Sequence, residues 1–395
     1  MTTGTSTRTP RVNPVMRETE QVTPLELFFD LVFVLAITQC TQLMANDPTW
    51  GGIAQGLLVL GVLWWAWVGY AWLTSVVEPE EGAVRLVIFA AMAALLVVSL
   101  CVPEAFGDLG LTFAVAYGFV RASHIALFWI SSREDPAFRR STAGLGVGTA
   151  VGVGLLVLAS FFDGAVQGGI WALALALDMA EPYFFGSEGW KLVPRHFAER
   201  HGLIIIIALG ESIVAIGVGA TAGVTAGVVA AAVLGVGLAA AMWWMYFDVV
   251  AIVAAHHLAQ KPPGREQNEM ARDSYSYLHF PMVAGIVLGA LGLKKTLEHV
   301  EDPLKIEIAV ALAGGLAIYL LAHVAFRLRN VHTLSKQRLV TAAVCLALIP
   351  VATEIPAIAT LAILGAVSAA LIAYEAIRFA ARRDEIRHEL AAEGA

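Results

Sequence analysis

The sequence predicts an all-α protein, a polytopic transmembrane helix bundle of about twelve spans, and three observations carry that prediction. Charged residues make up only 14% of the chain, where soluble domains carry roughly 25%. The apolar residues gather into runs of about the 20 residues that one helix needs to cross a bilayer. The basic residues fall almost wholly in alternate loops, which fixes an orientation. No stretch alternates apolar and polar residues in the manner of a transmembrane β-barrel.

Residues 1–22 are polar and rich in Thr and Pro, without the apolar core of a signal peptide, so a disordered cytoplasmic tail is expected. The first span, near 24–46, opens with "TPLE". Thr23 reads as the N-cap, Pro24 sits where its missing N–H costs nothing, and Glu26 completes a capping box. Glu26 is therefore expected at the membrane surface, also favoured there by the helix dipole. Asp30 lies four residues further in, roughly 6 Å deeper at 1.5 Å per residue. The second span, near 52–76, holds "VLGVLWWAWVGYAW" with Trp64 and Trp65 well away from either end. These indoles suit packing between helices or the wall of a pocket for an apolar or cationic ligand.

The third span, near 83–103, is apolar beyond Arg85 at its start, and the fourth, near 109–131, carries Arg121 and His124 three apart on one face. The fifth, near 141–162, includes "GLGVGTAVGVG", whose small residues allow close helix approach. The sixth, near 165–185, places Asp178 and Glu181 on a shared face. A linker over 186–200 leads to the seventh span, near 201–220, with Gly210, Glu211 and Ser212 in "GLIIIIALGESIVAIG". The eighth, near 223–253, contains "MWWMYFD", hence Trp243, Trp244 and Asp248. The ninth and tenth lie near 274–294 and 305–326, the tenth with His323. A short eleventh near 338–352 and a twelfth near 355–379 meet around Pro350 and Pro356, and residues 380–395 form a charged cytoplasmic tail.

With the N-terminus in the cytoplasm, only Lys294, Lys295 and Lys305 of the 25 lysines and arginines face outward, and Arg121 alone stays within a span. Both termini are thus expected in the cytoplasm. The halves 23–185 and 201–379 would each hold six helices. "VLGVLWWAWVGYAW" resembles "GVGLAAAMWWMYFD", and His124 matches His323, so a parallel six-plus-six repeat is expected, with a site between the halves.

An Asp at the centre of a membrane helix costs about 3 kcal/mol on translocon scales, so such groups face a bundle interior with a partner or water. Asp30, Asp178, Glu181, Glu211 and Asp248 fall roughly 5–15 Å from the cytoplasmic surface by helix rise. With Arg121 and His124 they are the candidates for ion coupling. Glu26, Trp64, Trp65, Trp243, Trp244, Ser212 and His323 are the candidate cavity-lining residues. A structural ion-pair network is the alternative role for the carboxylates, and helix packing the alternative for His323.

Cys40, Cys101 and Cys345 lie in apolar runs without metal spacing and read as small buried side chains. No HExxH, GxSxG or nucleotide-binding loop occurs, and no lysine lies mid-membrane for a retinal Schiff base. Neither catalytic residues, a metal nor a cofactor is therefore expected, and no basic aromatic patch points to nucleic acid.

"ELFFDLVFVLAITQ" and "GLIIIIALGESIVAIG" together resemble the low temperature requirement protein A family of bacterial membrane proteins, and the hydrophobic layout is similar over roughly residues 20–380. The resemblance implies a polytopic bacterial inner-membrane protein associated with growth in the cold. Its recurrent motif positions correspond to Glu26, Asp30, Gly210, Glu211 and Ser212, without implying a catalytic role for any. The bilayer is one expected partner, and a small molecule or ion is the expected substrate. Three functions stay open: a secondary transporter or proton- or cation-coupled permease with a carboxylate-lined cavity in the cytoplasmic half, a membrane sensor or scaffold, and an intramembrane enzyme.

Overall fold

The computed structural model describes residues 16–17, 20–80, 82–184, 189–220 and 223–380. Most of the expected tails, and residues 186–188 of the expected linker, lie outside the described residues. Helices dominate, and the described residues contain only two isolated β-bridges, Met16 with Val77 and Pro303 with Pro356. In chain order the helices are α1 (Pro24–Asn46), α2 (Trp50–Val76), α3 (Val84–Cys101), α4 (Gly110–Ser131), α5 (Pro136–Ala159) and α6 (Gly164–Phe184). After them come α7 (Pro194–Gly219), α8 (Ala226–Phe247), α9 (Val250–Gln260) and α10 (Arg265–Met270). A π-helical segment, Ala271–Tyr277, runs into α11 (His279–Glu298). Then follow α12 (Ile306–Ala309), a second π-helical segment Val310–Gly314, α13 (Gly315–Val331), α14 (Lys336–Ala352) and α15 (Ala357–Arg378).

Counted as unbroken or kinked rods, these make twelve long units among the described residues. Ten are long and apolar enough to cross a membrane. The other two are α6, which carries Asp178 and Glu181, and the 17-residue α14.

The helix starts follow local chemistry. Thr23 accepts the Glu26 amide at 3.4 Å while Glu26 Oε2 accepts the Thr23 amide at 2.8 Å, the reciprocal capping box. Asp135 caps α5 through the amides of Ala137 and Phe138, which moves its start back from the expected 141 to Pro136. Proline at the first turn likewise starts α7 at Pro194, seven residues before the expected 201. That correction matters, because it brings Arg195, His196 and Arg200 into a helix rather than a loop. The expected eighth span is two pieces, α8 and α9, separated at Asp248 and Val249. The ninth begins at Arg265 rather than 274. Pro350 lies within α14, and Pro356 immediately precedes α15.

The bundle is ordered around α2, α11 and α13, whose apolar windows are 78% buried, against 33% for α15. α11 packs on α7, α13 and α1, and α1 joins the first half of the chain to the second through α7. The α11–α13 approach is as close as backbones permit. A Cβ on Gly285 would lie 2.5 Å from the Gly315 carbonyl oxygen and 2.9 Å from the Tyr319 amide nitrogen. Outward faces carry Leu86, Phe119, Val147, Phe161, Ile213 and Val233 well exposed. A surface so apolar matches hydrocarbon rather than water, so the surrounding partner is a lipid bilayer.

Candidate functional site

The carboxylates separate into four places. In the first, Glu26 and Asp30, one turn apart on α1, meet His196 and Arg200, one turn apart on α7. Arg200 Nη1 lies 3.1 Å from Glu26 Oε1, and its Nη2 lies 2.7 Å from Asp30 Oδ1. His196 Nε2 approaches Glu26 Oε1 at 2.8 Å, and Ser75 Oγ lies 2.9 Å from His196 Nδ1. Trp67 of α2 donates Nε1–H to Asp30 Oδ1 at 2.9 Å. Within the segment expected as a tail, Arg17 is buried, 3.1 Å from Glu26 Oε2, and donates to the Thr74 carbonyl at 2.8 Å. Two guanidiniums thus face two carboxylates, and none of the four side chains exceeds 1% exposure. The gap bordering Glu26 and Arg200 measures about 10 Å³, room for one water at most. Glu26 is therefore not at a wet surface. It is a cap and a buried ion-pair centre at once, because α7 brings a cation to the same depth.

The second place joins α4, α5 and α6. Arg121 grips Asp178 in a fork, with Nη1–Oδ2 2.7 Å and Nη2–Oδ1 2.9 Å. It also donates to Tyr117 OH at 3.0 Å and Thr149 Oγ1 at 2.7 Å. One turn along α6, Glu181 behaves differently. It is 6% exposed, and no hydrogen-bond or ion-pair partner holds it among the described residues. Glu181 borders a cavity of about 70 Å³ together with Arg121, His124, Trp65, Trp72 and Trp190, a volume that admits a small cation or a few waters. His124 is fully buried with Nε2 unpartnered, and its ring packs on Gly69 of α2, where a Cβ would meet it at 3.2 Å.

Glu211, the third, lies eleven residues along α7 from Arg200, roughly 16 Å by helix rise. It accepts from Thr38 Oγ1 at 2.5 Å. Nearby, Lys294 donates to Gln42 Oε1 at 2.6 Å. Ser212 is buried beside it, and Gly210 would accept a Cβ without contact. The fourth place is a cavity of about 570 Å³ bordered by Asp248, Trp244, His323, Arg338 and Glu375.

The tryptophans divide. Trp64 donates to the Ser276 carbonyl at 2.8 Å and stacks on Trp67 with centroids 5.2 Å apart. Trp65 faces the 70 Å³ cavity. Trp243 and Trp244 are each 43% exposed on the outer face of α8, and Trp243 stacks on Phe247. The two stretches that resemble one another in sequence are thus placed differently in space.

Arg121 is not the sole enclosed cation within the helices. Arg200 is 0% exposed and Arg338 7%, both in helices that begin earlier or bury more than hydropathy indicates. Arg200, His196 and the Arg338–Glu375 pair were not among the candidates. A signal for the first two exists in "RHFAERHG", where His196 and Arg200 repeat the four-residue spacing of Glu26 and Asp30 with opposite chemistry. Among the described residues, no group of three or more His, Cys, Asp or Glu has metal-ligand geometry.

Residues 21–373 match the family model described as Bacterial low temperature requirement A protein (LtrA). A Rhizobium meliloti protein named "Uncharacterized protein RA0937" is 30% identical over 318 residues, covering 75% of this chain and 74% of the relative. No solved structure matches the chain.

Proposed function

We propose that this chain, which belongs to the bacterial low temperature requirement A family, works as a secondary transporter, a proton- or cation-coupled permease, with Glu181 as its exchanging carboxylate. One observation carries the proposal. Of the buried acids Glu26, Asp30, Asp178, Glu181 and Glu211, Glu181 has no donor among the described residues and borders a cavity large enough for a small cation. Glu26, Asp30 and Asp178 are held by arginines, and Glu211 by Thr38. A carboxylate already neutralised by a fixed guanidinium has no free energy left for a travelling cation. Arg121 then acts on Glu181 at one remove. By engaging Asp178 it keeps two adjacent acids from demanding two mobile cations, and leaves one.

With both termini in the cytoplasm of a bacterial inner membrane, Glu181 stands one turn from the cytoplasmic end of α6, so its cavity opens from that half. Trp65, Trp72 and Trp190 around it suit a desolvated cation, whose charge the ring faces attract. A membrane sensor or scaffold is the second reading. The dry pairing of Glu26, Asp30, Arg17 and Arg200 favours it, since that cluster ties α1 and α2 to α7 beside a gap with room for one water at most.

The test is flux in proteoliposomes loaded with a pH-reporting dye, under imposed proton, sodium or potassium gradients. Wild-type protein is expected to carry one of these ions. Glu181→Gln is expected to lower that flux by about 100-fold or more, since the amide keeps the volume but cannot exchange charge. Because no described residue pairs with Glu181, the variant is expected to fold and unfold thermally like wild type. Glu181→Asp is expected to recover part of the flux. Undiminished flux through Glu181→Gln, or none through the wild type under every gradient, would remove the proposal.

A further inference from the structure

The 570 Å³ cavity shares no lining residue with the Glu181 cavity and lies between the ends of α8, α9, α13, α14 and α15. Its size falls within the range of small-molecule sites. Its hydrogen-bond inventory is unbalanced in one direction. Arg338 Nη1 lies 2.9 Å from His323 Nδ1, and a guanidinium can only donate. His323 Nδ1 is therefore the acceptor, and the ring proton sits on Nε2. That Nε2–H has no acceptor among the described residues and is closed off from the cavity, so His323 serves to position Arg338.

The other charges near it are spent, with one exception. Arg338 holds Glu375 through Nε at 3.0 Å and Nη2 at 2.9 Å, and gives Nη2 also to the Met245 carbonyl. Glu375 takes a further bond from Gln337. Asp248 is engaged in contacts of its own. Arg327 is the exception. It donates Nε to Thr333 Oγ1 at 2.8 Å, and no carboxylate of the described residues lies within ion-pair distance of it. The fork of Arg327 therefore borders the cavity with no carboxylate of the described residues to receive it. On the lipid side the cavity is rimmed by Trp244 and Phe379, 43% and 39% exposed.

We propose that this cavity binds the phosphate of an anionic amphiphile, with the Arg327 guanidinium donating to its oxygens and the apolar portion passing between Trp244 and Phe379. The planar guanidinium fork matches a phosphate's paired oxygens. The exposed aromatics give a hydrocarbon chain an exit to the bilayer that a small hydrophilic anion would not need.

Native mass spectrometry of the detergent-purified full chain tests it, with phosphatidylglycerol, phosphatidylcholine and inorganic phosphate as probes. Phosphatidylglycerol is expected to bind in preference to phosphatidylcholine. Arg327→Gln is expected to weaken that binding roughly tenfold, the loss of one charge-assisted contact. Lys336→Gln removes the same charge from an exposed position at the same end of the bundle, outside the cavity, and is expected to change it little. Failure of inorganic phosphate to compete assigns the site to lipid, and competition at low millimolar concentration assigns it to a soluble phosphate. Equal losses in the two variants, or no preference for phosphate-bearing anions over phosphatidylcholine, would overturn the proposal.

Discussion

Arg200→Leu is expected to leave little folded protein. Arg200 answers two buried carboxylates at once, Glu26 at 3.1 Å and Asp30 at 2.7 Å, in a region with room for one water at most. Removing one partner of such an arrangement strands a charge in low dielectric and costs about 3–5 kcal/mol. That is a large share of the roughly 5–15 kcal/mol by which proteins are stable. Glu26 would keep Arg17 and His196, whereas Asp30 would keep only the indole of Trp67. The damage is thus concentrated at Asp30, and the compensating change is specific. Asp30→Leu combined with Arg200→Leu is expected to recover most of the lost stability, because the orphaned charge leaves with its partner. Thermal unfolding in detergent, read alongside the monodisperse fraction on gel filtration, distinguishes the two variants. Wild-type stability in Arg200→Leu alone would mean that Asp30 is hydrated.

Gly285→Leu is the second change expected to abolish folding, for a steric reason. The added Cβ would sit 2.5 Å from the Gly315 carbonyl oxygen, and the contacts on either side are backbone atoms that cannot rotate away. α11 and α13 would have to separate along their length, opening the most enclosed part of the bundle. Overpacking a core ordinarily costs about 1–3 kcal/mol, and this case lies at or above that range because two helices move rather than one side chain. Gly289→Ala on the same helix, where a Cβ meets nothing within 4 Å, is expected to be silent. The same thermal measurement compares them.

How far the sequence spoke depended on the kind of feature. Span existence was legible because the bilayer imposes length and apolarity on each helix separately, and the "TPLE" cap was legible because it is local. Cap-driven starts, as at Pro136 and Pro194, were read late, since hydropathy marks where a helix becomes apolar rather than where it begins. Arg200 was hidden by that same error: counted as a loop charge, it could not be matched to Asp30. Which acid remains unpaired was not legible at all. Asp178 and Glu181 are alike in depth and spacing, and only the direction of Arg121 from α4 separates them. Pairing is a property of three helices at once, and no single stretch records it.

The π-helical segment Ala271–Tyr277 leaves two of its polar groups to receive indoles, the Ser276 carbonyl for Trp64 and the Ser276 hydroxyl for Trp72. An α-helix turns by about 100° per residue, and a widened turn absorbs a surplus residue without passing that rotation on. Deleting one residue there would restore ordinary winding and leave α10 and α11 in nearly their present register, whereas the same deletion inside α11 would swing one side of the helix about 100° against the other. The two tryptophans would then feel the loss only through the position of Ser276, while the overall length scarcely changed. This segment is consequently where the helix absorbs a lost residue with least disturbance, although a hydropathy plot would show no difference.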